Sequence, residues 1–255
     1  MLYLNQMNIF LLGSRGYLGS YLQKHLQADT RIQEGKVYDY FINCAGKPTL
    51  EYCENHPEIS YVSNFDIIRQ THKQIPQAKI ISFSSYYVYD DRGLCSEDSN
   101  TTDKYLYTKH KLQAEKFVSE QGGVSFRIGK LFGNPASMQT KLTDVFLKAD
   151  KITLDKVLFN PTSVKQVLSV IEQELKTASF TGVYNLSNRG VTSHLNYCKY
   201  IDDYLQTKTE ISIIERVPKG FHNYGRFVMN VEKLENIFPL TPWQEDLREY
   251  LECIV

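Results

Sequence analysis

The chain has 255 residues, enough for one large core with a smaller lobe beside it, and equal numbers of basic and acidic residues give it a formal net charge of zero. That balance gives no electrostatic footprint for nucleic acid or an anionic membrane, and the lack of a long apolar run or signal-peptide pattern leads us to expect a cytoplasmic protein. The five cysteines are scattered, with no Cys-x-x-Cys and no metal-ligand spacing to the histidines, as expected of free thiols in a reducing compartment.

In chain order, the apolar run Met7 to Leu12 predicts a strand, and Tyr17, Leu18, Tyr21, Leu22 and Leu26 recur with helical spacing after it. Between them lies Gly13-Ser14-Arg15-Gly16-Tyr17-Leu18-Gly19. Strand, glycine-rich turn and helix is the context for a dinucleotide phosphate. Glycine lets the backbone turn tightly and approach the phosphate, and the helix start offers unpaired N–H groups. The link that follows is short. Only Gln27 to Val37 separate Leu26 from the run Tyr38 to Ile42, with at most a short strand around Thr30 to Gln33. A doubly wound fold ordinarily has a complete strand–helix unit here, with an acid for the adenosine ribose. Glu34 is a candidate for that acid, though a solvated surface position suits it better.

Phe41 to Gly46 predicts a buried strand ending in small residues (Asn43, Cys44, Ala45 and Gly46) against which a flat cofactor can lie. Pro57 to Ile75 has helical periodicity, Ala78 to Ser84 reads as a strand, and Asp103 is placed to cap a helix from Lys104 to Gln121. That helix contains two Tyr-x-x-x-Lys spacings, Tyr105–Lys109 and Tyr107–Lys111, and either pair shares a helix face. Strands are expected at Val124–Ile128, Lys151–Leu154, Gly182–Leu186 and Ile211–Glu215. Helices are expected at Lys141–Ala149, from Pro161 to Leu175, His194–Leu205, Val231–Ile237 and from Trp243. The alternation predicts an α/β fold, a Rossmann-type doubly wound parallel sheet with a small C-terminal α/β lobe. We divide it as 1–133 plus 161–190 for the dinucleotide domain and 134–160 plus 191–255 for the substrate lobe.

Together these pieces resemble the extended short-chain dehydrogenase/reductase superfamily, and within it the dTDP-4-dehydrorhamnose reductase group. The resemblance rests on Gly13-x-x-Gly16-x-x-Gly19, Asn43-Cys44-Ala45-Gly46 and Glu54-x-x-Pro57-Glu58 leading to Val62-Ser63-Asn64. It continues in Ser84-Ser85-x-x-Val88-Tyr89, Tyr107-x-x-x-Lys111-Leu112-x-x-Glu115, Phe126-Arg127, Pro161-Thr162 and the tail from Asn230 to Trp243. The family's Leu-x-x-Glu after the lysine selects Tyr107 and Lys111, although His110 stands where the family has Ser or Thr. The spacing to Val88 selects Ser85 over Ser84.

The resemblance implies NAD(P)H-dependent reduction of a nucleotide-linked 4-keto sugar. Tyr107 would donate the proton, Lys111 would lower the tyrosine pKa and hold the nicotinamide ribose, and Ser85 would align the carbonyl. Asn64 joins the glycine loop and the strand end as a cofactor contact, and Tyr86, Asn160 and Arg226 are candidate substrate contacts, with Arg216 as an alternative to Arg226. Related GDP-fucose synthases carry an Arg at the place of Arg15, facing the NADP 2′-phosphate, which favours NADPH over NADH. A homodimer is implied. An epimerase with bound NAD, or a non-catalytic dinucleotide-binding subunit, are the alternatives. A dehydratase is disfavoured because Tyr86 and Tyr87 replace that group's Asp-Glu pair.

Overall fold

The computed structural model describes residues 7–90, 93–137, 141–214 and 227–254. The element order is β1 (Ile9–Leu12), α1 (Tyr17–His25), β2 (Ala28–Asp29), β3 (Tyr40–Asn43), α2 (Leu50–Asn55), α3 (Pro57–Tyr61), a π-helical turn (Val62–Asp66), α4 (Ile67–Gln74), β4 (Lys79–Ser85), β5 (Gly93–Cys95), α5 (Leu106–Glu120), β6 (Val124–Ile128) and β7 (Lys130–Phe132). It continues with α6 (Leu142–Leu147), β8 (Lys151–Leu154), β9 (Leu158–Phe159), β10 (Pro161–Ser163), α7 (Val164–Thr177), β11 (Gly182–Leu186), β12 (Thr192–Ser193), α8 (His194–Leu205), β13 (Glu210–Ile213), β14 (Phe227–Met229), α9 (Glu232–Glu235) and α10 (Trp243–Ile254).

Six strands form one parallel sheet in the order β11-β6-β4-β3-β1-β2. Its strands are apolar on both faces because both faces are covered. Ile9, Leu11, Ile42, Ile81, Phe83 and Phe126 pack toward α1 and α7, while Phe10, Phe41 and Ile80 pack toward α4 and α5. A separate cluster gathers Phe132, Phe146, Leu154, Phe159, Tyr197, Trp243 and Leu251 from the C-terminal elements. The chain leaves β1 toward β2 on one side and returns to β3 on the other, and the connections after β1 and β3 run to opposite faces of the sheet, α1 on one and α4 on the other. In a parallel α/β sheet a ligand binds at such a point.

The short link resolves differently from its expected position. The second strand is Ala28–Asp29, registered on Ile9 and Phe10, rather than Thr30 to Gln33. Tyr38, almost fully buried, then packs edge-on against Phe10 with ring centroids 5.8 Å apart and donates its hydroxyl to Asp29 Oδ2 at 2.9 Å. One tyrosine thus covers apolar surface that a longer strand–helix unit would cover.

Three helix boundaries also differ. The Pro57 to Ile75 segment is interrupted by the π-turn at Val62–Asp66, and a further helix, α2, precedes it. Pro161 lies in β10, and α7 starts at Val164, capped by Ser163, whose Oγ accepts from Gln166 N at 2.8 Å. Asp103 does not cap α5. The helix starts after Tyr105, and Glu54 Oε1, from α2, accepts from Leu106 N at 2.6 Å. A distant carboxylate does the work of a local cap and suits the positive end of the helix dipole.

α5 is tied to the sheet by charge. Arg127 on β6 forks onto Glu115, Nε to Oε1 at 3.0 Å and Nη2 to Oε2 at 2.7 Å, with both side chains buried. Arg127 Nη1 also donates to Glu97 O at 3.0 Å, and its guanidinium lies 4.8 Å from the Tyr89 ring centroid. Burial opposes the Arg127 charge, but the bonds to Glu115 outweigh it and hold the guanidinium above its usual pKa. Glu115→Gln leaves that cation buried without its counter-charge and is predicted to cost about 3–5 kcal/mol in urea unfolding. A loss below about 1 kcal/mol would show that the pair does not anchor the helix.

Candidate functional site

The glycine loop is shaped by contacts that leave no room for side chains. Gly13 has φ +84°, and a Cβ there would lie 2.5 Å from Ala45 N, so the loop rests directly on the end of β3. A Cβ on Gly19 would meet Gly13 O at 2.1 Å, which is why α1 can sit so close beneath the turn. Gly16 N donates to Gly13 O at 3.0 Å and closes it. Gly16 caps α1 without a side-chain hydrogen bond, and the first helical turn carries no acid. The helix start therefore presents N–H groups that no side chain satisfies among the described residues, beside a cavity that Gly16, Tyr17 and Leu18 help to line. Ser14 and Arg15 form the tip of the turn, where the Arg15 side chain is exposed.

The strand end after β3 forms a second wall. Asn43 is buried, and its Oδ1 accepts from Ala45 N at 3.1 Å, while its Nδ2 has no partner among the described residues. Cys44, Ala45 and Gly46 line the cavity. A Cβ on Gly46 would come within 3.1 Å of Asn64 Oδ1 and 3.3 Å of Lys111 Nζ, so this glycine keeps two polar groups accessible. Asn64 sits in the π-turn. Its Oδ1 accepts from Lys47 N at 3.0 Å, and its Nδ2 donates to Lys47 O at 3.3 Å, clamping the loop after β3.

Of the two Tyr-x-x-x-Lys pairs, α5 turns Tyr107 and Lys111 inward and leaves Lys109 exposed. Tyr107 and Lys111 both line the cavity, as do Ser85, Tyr86 and Tyr87. Ser85 stands near enough to the Tyr107 hydroxyl to favour its ionised form, and its Oγ accepts from Tyr87 N at 3.2 Å. The serine is therefore both the cap of a local turn and a neighbour of the tyrosine. Ser84 Oγ, by contrast, is buried without a partner among the described residues. Lys111 Nζ donates to Phe83 O at 2.9 Å and lies 6.0 Å from the Tyr107 ring centroid. His110, standing where Ser or Thr was expected, spans to α3 with Nδ1 2.8 Å from Ser60 Oγ.

The net shift of the Tyr107 pKa is upward, because burial dominates it. Burial pushes Tyr107 up to about 12, more than nearby Ser85 offsets, and burial pushes Lys111 down to about 8. Both groups are driven toward their neutral forms by the same dry surroundings.

The cavity is about 430 Å³. Four lysines reach its wall, Lys47, Lys111, Lys130 and Lys141, and no Asp or Glu does among the described residues. Only Lys111 was anticipated. The others follow no sequence motif, and a chain of zero net charge hides a local excess. Asn160 is not brought to the cavity. Its Oδ1 accepts from Met229 N at 2.8 Å and its Nδ2 donates to Met229 O at 3.1 Å, so the amide serves as a brace to β14. Arg226 and Arg216 lie outside the described residues. Glu34 is exposed. The acid that ends β2 is Asp29, whose Oδ2 is held by Lys36 Nζ at 2.7 Å and by the Tyr38 hydroxyl. Among the described residues no His, Cys, Asp and Glu cluster could hold a metal ion, and no helix is long and apolar enough to cross a membrane.

Comparison with known proteins agrees with this layout. The fold matches a dTDP-4-dehydrorhamnose reductase from Clostridium acetobutylicum with TM-score 0.82 and 19% identity, covering 97% of this chain and 99% of that one. It matches the Bacillus anthracis dTDP-4-dehydrorhamnose reductase in complex with NADP with TM-score 0.79 and 20% identity, over 96% and 99% of the two chains. MoeE5 in complex with UDP-glucose and NAD matches with TM-score 0.76 and 14% identity, over 96% and 98%. No curated protein sequence matches the chain. The sequence model of the RmlD substrate binding domain matches residues 30–255, starting after the glycine loop and including β3, α5 and the whole C-terminal lobe. The chain therefore belongs to the RmlD substrate binding domain family, within the extended short-chain dehydrogenase/reductases.

Proposed function

We propose that the protein is a nicotinamide-dinucleotide-dependent reductase of a nucleotide-linked 4-keto sugar. The observation that carries this reading is the meeting of Ser85, Tyr107 and Lys111 on the wall of a cavity that also receives the uncapped start of α1. The residues present fit a dinucleotide. Gly13 and Gly19 give a loop flat enough for a pyrophosphate, Gly16 to Leu18 offer N–H groups, Asn43 to Gly46 give a small-residue wall, and Asn64 and Lys111 stand beside Gly46. When bound, the dinucleotide supplies a hydride to the substrate carbonyl carbon.

The protein's part is the proton. As the carbonyl oxygen gains negative charge, Tyr107 donates its phenolic proton to it. An alkoxide is far more basic than a phenolate, so this transfer runs downhill even from a tyrosine at about 12. The high value keeps Tyr107 loaded with its proton at neutral pH, which suits reduction better than oxidation. Ser85, beside Tyr107, aligns the same oxygen. The Lys111 ammonium stabilises the phenolate left behind and can reach ribose hydroxyls. Tyr86 and Tyr87 stack with centroids 4.5 Å apart and offer an aromatic edge to the sugar or base. The substrate class is supported by the family and by the ligands of similar structures. Pairing of two copies would use the surface around Ile59, Tyr61 and Val62, which are 43%, 37% and 50% exposed.

For the cofactor we favour NADPH. Asp29, placed to meet an adenosine ribose, is already occupied by Lys36 and Tyr38, while Arg15 stands exposed at the loop tip as a fork for a phosphate. Arg15→Ala is predicted to weaken NADPH binding about tenfold or more and to change NADH binding less than twofold. Calorimetric titration with both cofactors checks this, and equal effects on the two would remove the argument.

Tyr107→Phe is predicted to reduce turnover of a dTDP-4-keto sugar by about a thousandfold or more while leaving dinucleotide affinity within about threefold. Retained turnover would refute the role given to Tyr107.

Lys111 carries a cost that pH reveals. Its folded pKa of about 8 lies below the ordinary 10.5, so its stabilising contribution is present above pH 10.5 and is lost as pH falls through 8. In urea unfolding without cofactor, Lys111→Met is predicted to be more stable than the parent by about 2–3 kcal/mol at pH 7, the gap closing to about 1 kcal/mol or less at pH 10. The same substitution is predicted to abolish turnover. A gap that does not change with pH would contradict the buried-ammonium account.

A further inference from the structure

A chain of three side chains beside the cavity has no part in the proton transfer described above. Lys130, the first residue of β7, places Nζ 2.6 Å from His194 Nε2 and 5.6 Å from the Phe159 ring centroid. His194, the first residue of α8, places Nδ1 2.6 Å from Asp155 Oδ1. A neutral imidazole satisfies both contacts in one tautomer only, with Nδ1–H donating to Asp155 and Nε2 accepting from the ammonium. Burial and the Lys130 charge both hold the His194 pKa below its usual value, in keeping with that neutral form. Asp155 thus orients the ring, and the ring orients the lysine.

A lysine on a four-carbon stem ordinarily samples many positions. Here one N–H is fixed by His194 and the ammonium is settled over an aromatic face, so the cation is preorganised. Burial lowers the Lys130 pKa to about 8, against which Asp155 acts through space to sustain the charge. The direction in which it is presented matters. Lys130 lines the same cavity as Ser85 and Tyr107, but its neighbours Phe159 and His194 belong to the C-terminal elements. The cofactor cradle of Gly16, Gly46, Asn64 and Lys111 comes from the other half of the chain.

We infer that Lys130 binds an anionic oxygen of the substrate, either a phosphate of the nucleoside diphosphate or a carboxylate on the sugar, and that His194 and Asp155 are positioning residues that hold it there. This rests on the nucleotide-sugar reading above. The site selects charged over neutral substrates on the lobe side of the cavity, and it does so with a cation whose direction is set by a carboxylate it does not touch through that chain.

The test is calorimetric titration of the full chain in saturating NADP⁺ with dTDP, UDP, UDP-glucose and UDP-glucuronic acid. Lys130→Met is expected to weaken whichever of these the parent binds by about ten- to a hundredfold, with NADP⁺ affinity within twofold as the control for folding. An equal loss for a bare diphosphate and its sugar conjugate assigns the phosphate. A loss confined to UDP-glucuronic acid assigns the carboxylate. If the methionine variant does not fold, Lys130→Gln serves in its place. His194→Gln keeps an amide oxygen to accept from Lys130 and is expected to retain most of the affinity, whereas His194→Phe and Asp155→Ala are expected to lose about three- to tenfold. A merely structural role would lower the melting temperature of these variants without separating glutamine from phenylalanine in affinity. Unchanged ligand affinity in the Lys130 variants overturns the assignment and leaves the nucleotide-sugar reading standing. A parent protein that binds none of the four overturns both.

Discussion

The buried fork between Arg127 and Glu115 is the interaction on which the rest of the site depends. It joins the centre of the sheet to α5 at the turn following Lys111, so the direction in which Tyr107 and Lys111 point is set by charge as well as by packing. The buried stripe of this helix is unusual for its polarity, consisting of Tyr107, Thr108, His110, Lys111, Ala114, Glu115 and Val118. An apolar stripe could slide or rotate by a fraction of a turn at small cost, because dispersion contacts are undirected. A bidentate ion pair cannot, since its two hydrogen bonds fix both distance and angle. Tyr89 and Glu97 extend the same fixation to the segment after β4, and with it to Ser85.

The parallel sheet was legible from sequence because strands covered on both faces show as unbroken apolar runs, as in Ile9 to Leu12 and Tyr40 to Ile42. The glycine loop was legible because steric exclusion leaves glycine in the sequence wherever backbone meets backbone. What was not legible shares one physical character, namely contact between residues far apart in the chain. Glu54 caps α5 from 52 residues away, Lys130 meets His194 across 64, and Asp155 meets His194 across 39. No spacing rule reports such meetings. Asp103 was a reasonable local cap that lost to a carboxylate delivered by another helix, and Asn160 was drawn away from the cavity by two backbone bonds at Met229. The rise in the Tyr107 pKa was hidden for a related reason, because the lysine partner could be read from the helix while the dryness of their shared surroundings could not.

The distribution of charge links fold to chemistry. A chain with zero net charge gathers four lysines around one cavity and keeps acids off its wall among the described residues, so the compensating carboxylates lie elsewhere. Two of these lysines, Lys111 and Lys130, are held with lowered pKa values of about 8, and α1 begins there without a side-chain cap. Each is a local cost in the absence of an anion and a local gain in its presence. Free energy withheld from the empty cavity is thus released on binding, which makes the fold and its ligands thermodynamically coupled.

The π-turn at Val62–Asp66 has a consequence for how this stretch can vary. Such a turn is a helix carrying one surplus residue. Exchanging one side chain for another leaves the backbone path intact, whereas deleting the surplus residue would let the segment wind as a regular α-helix with its flanks in phase, at the expense of the turn that carries Asn64. Asn64 would then leave the loop it clamps, while Ile68 would keep its place in the core. One residue can therefore be lost here without displacing the helices on either side, and a gap at this place in any alignment of related chains would mark a different way of holding the loop after β3.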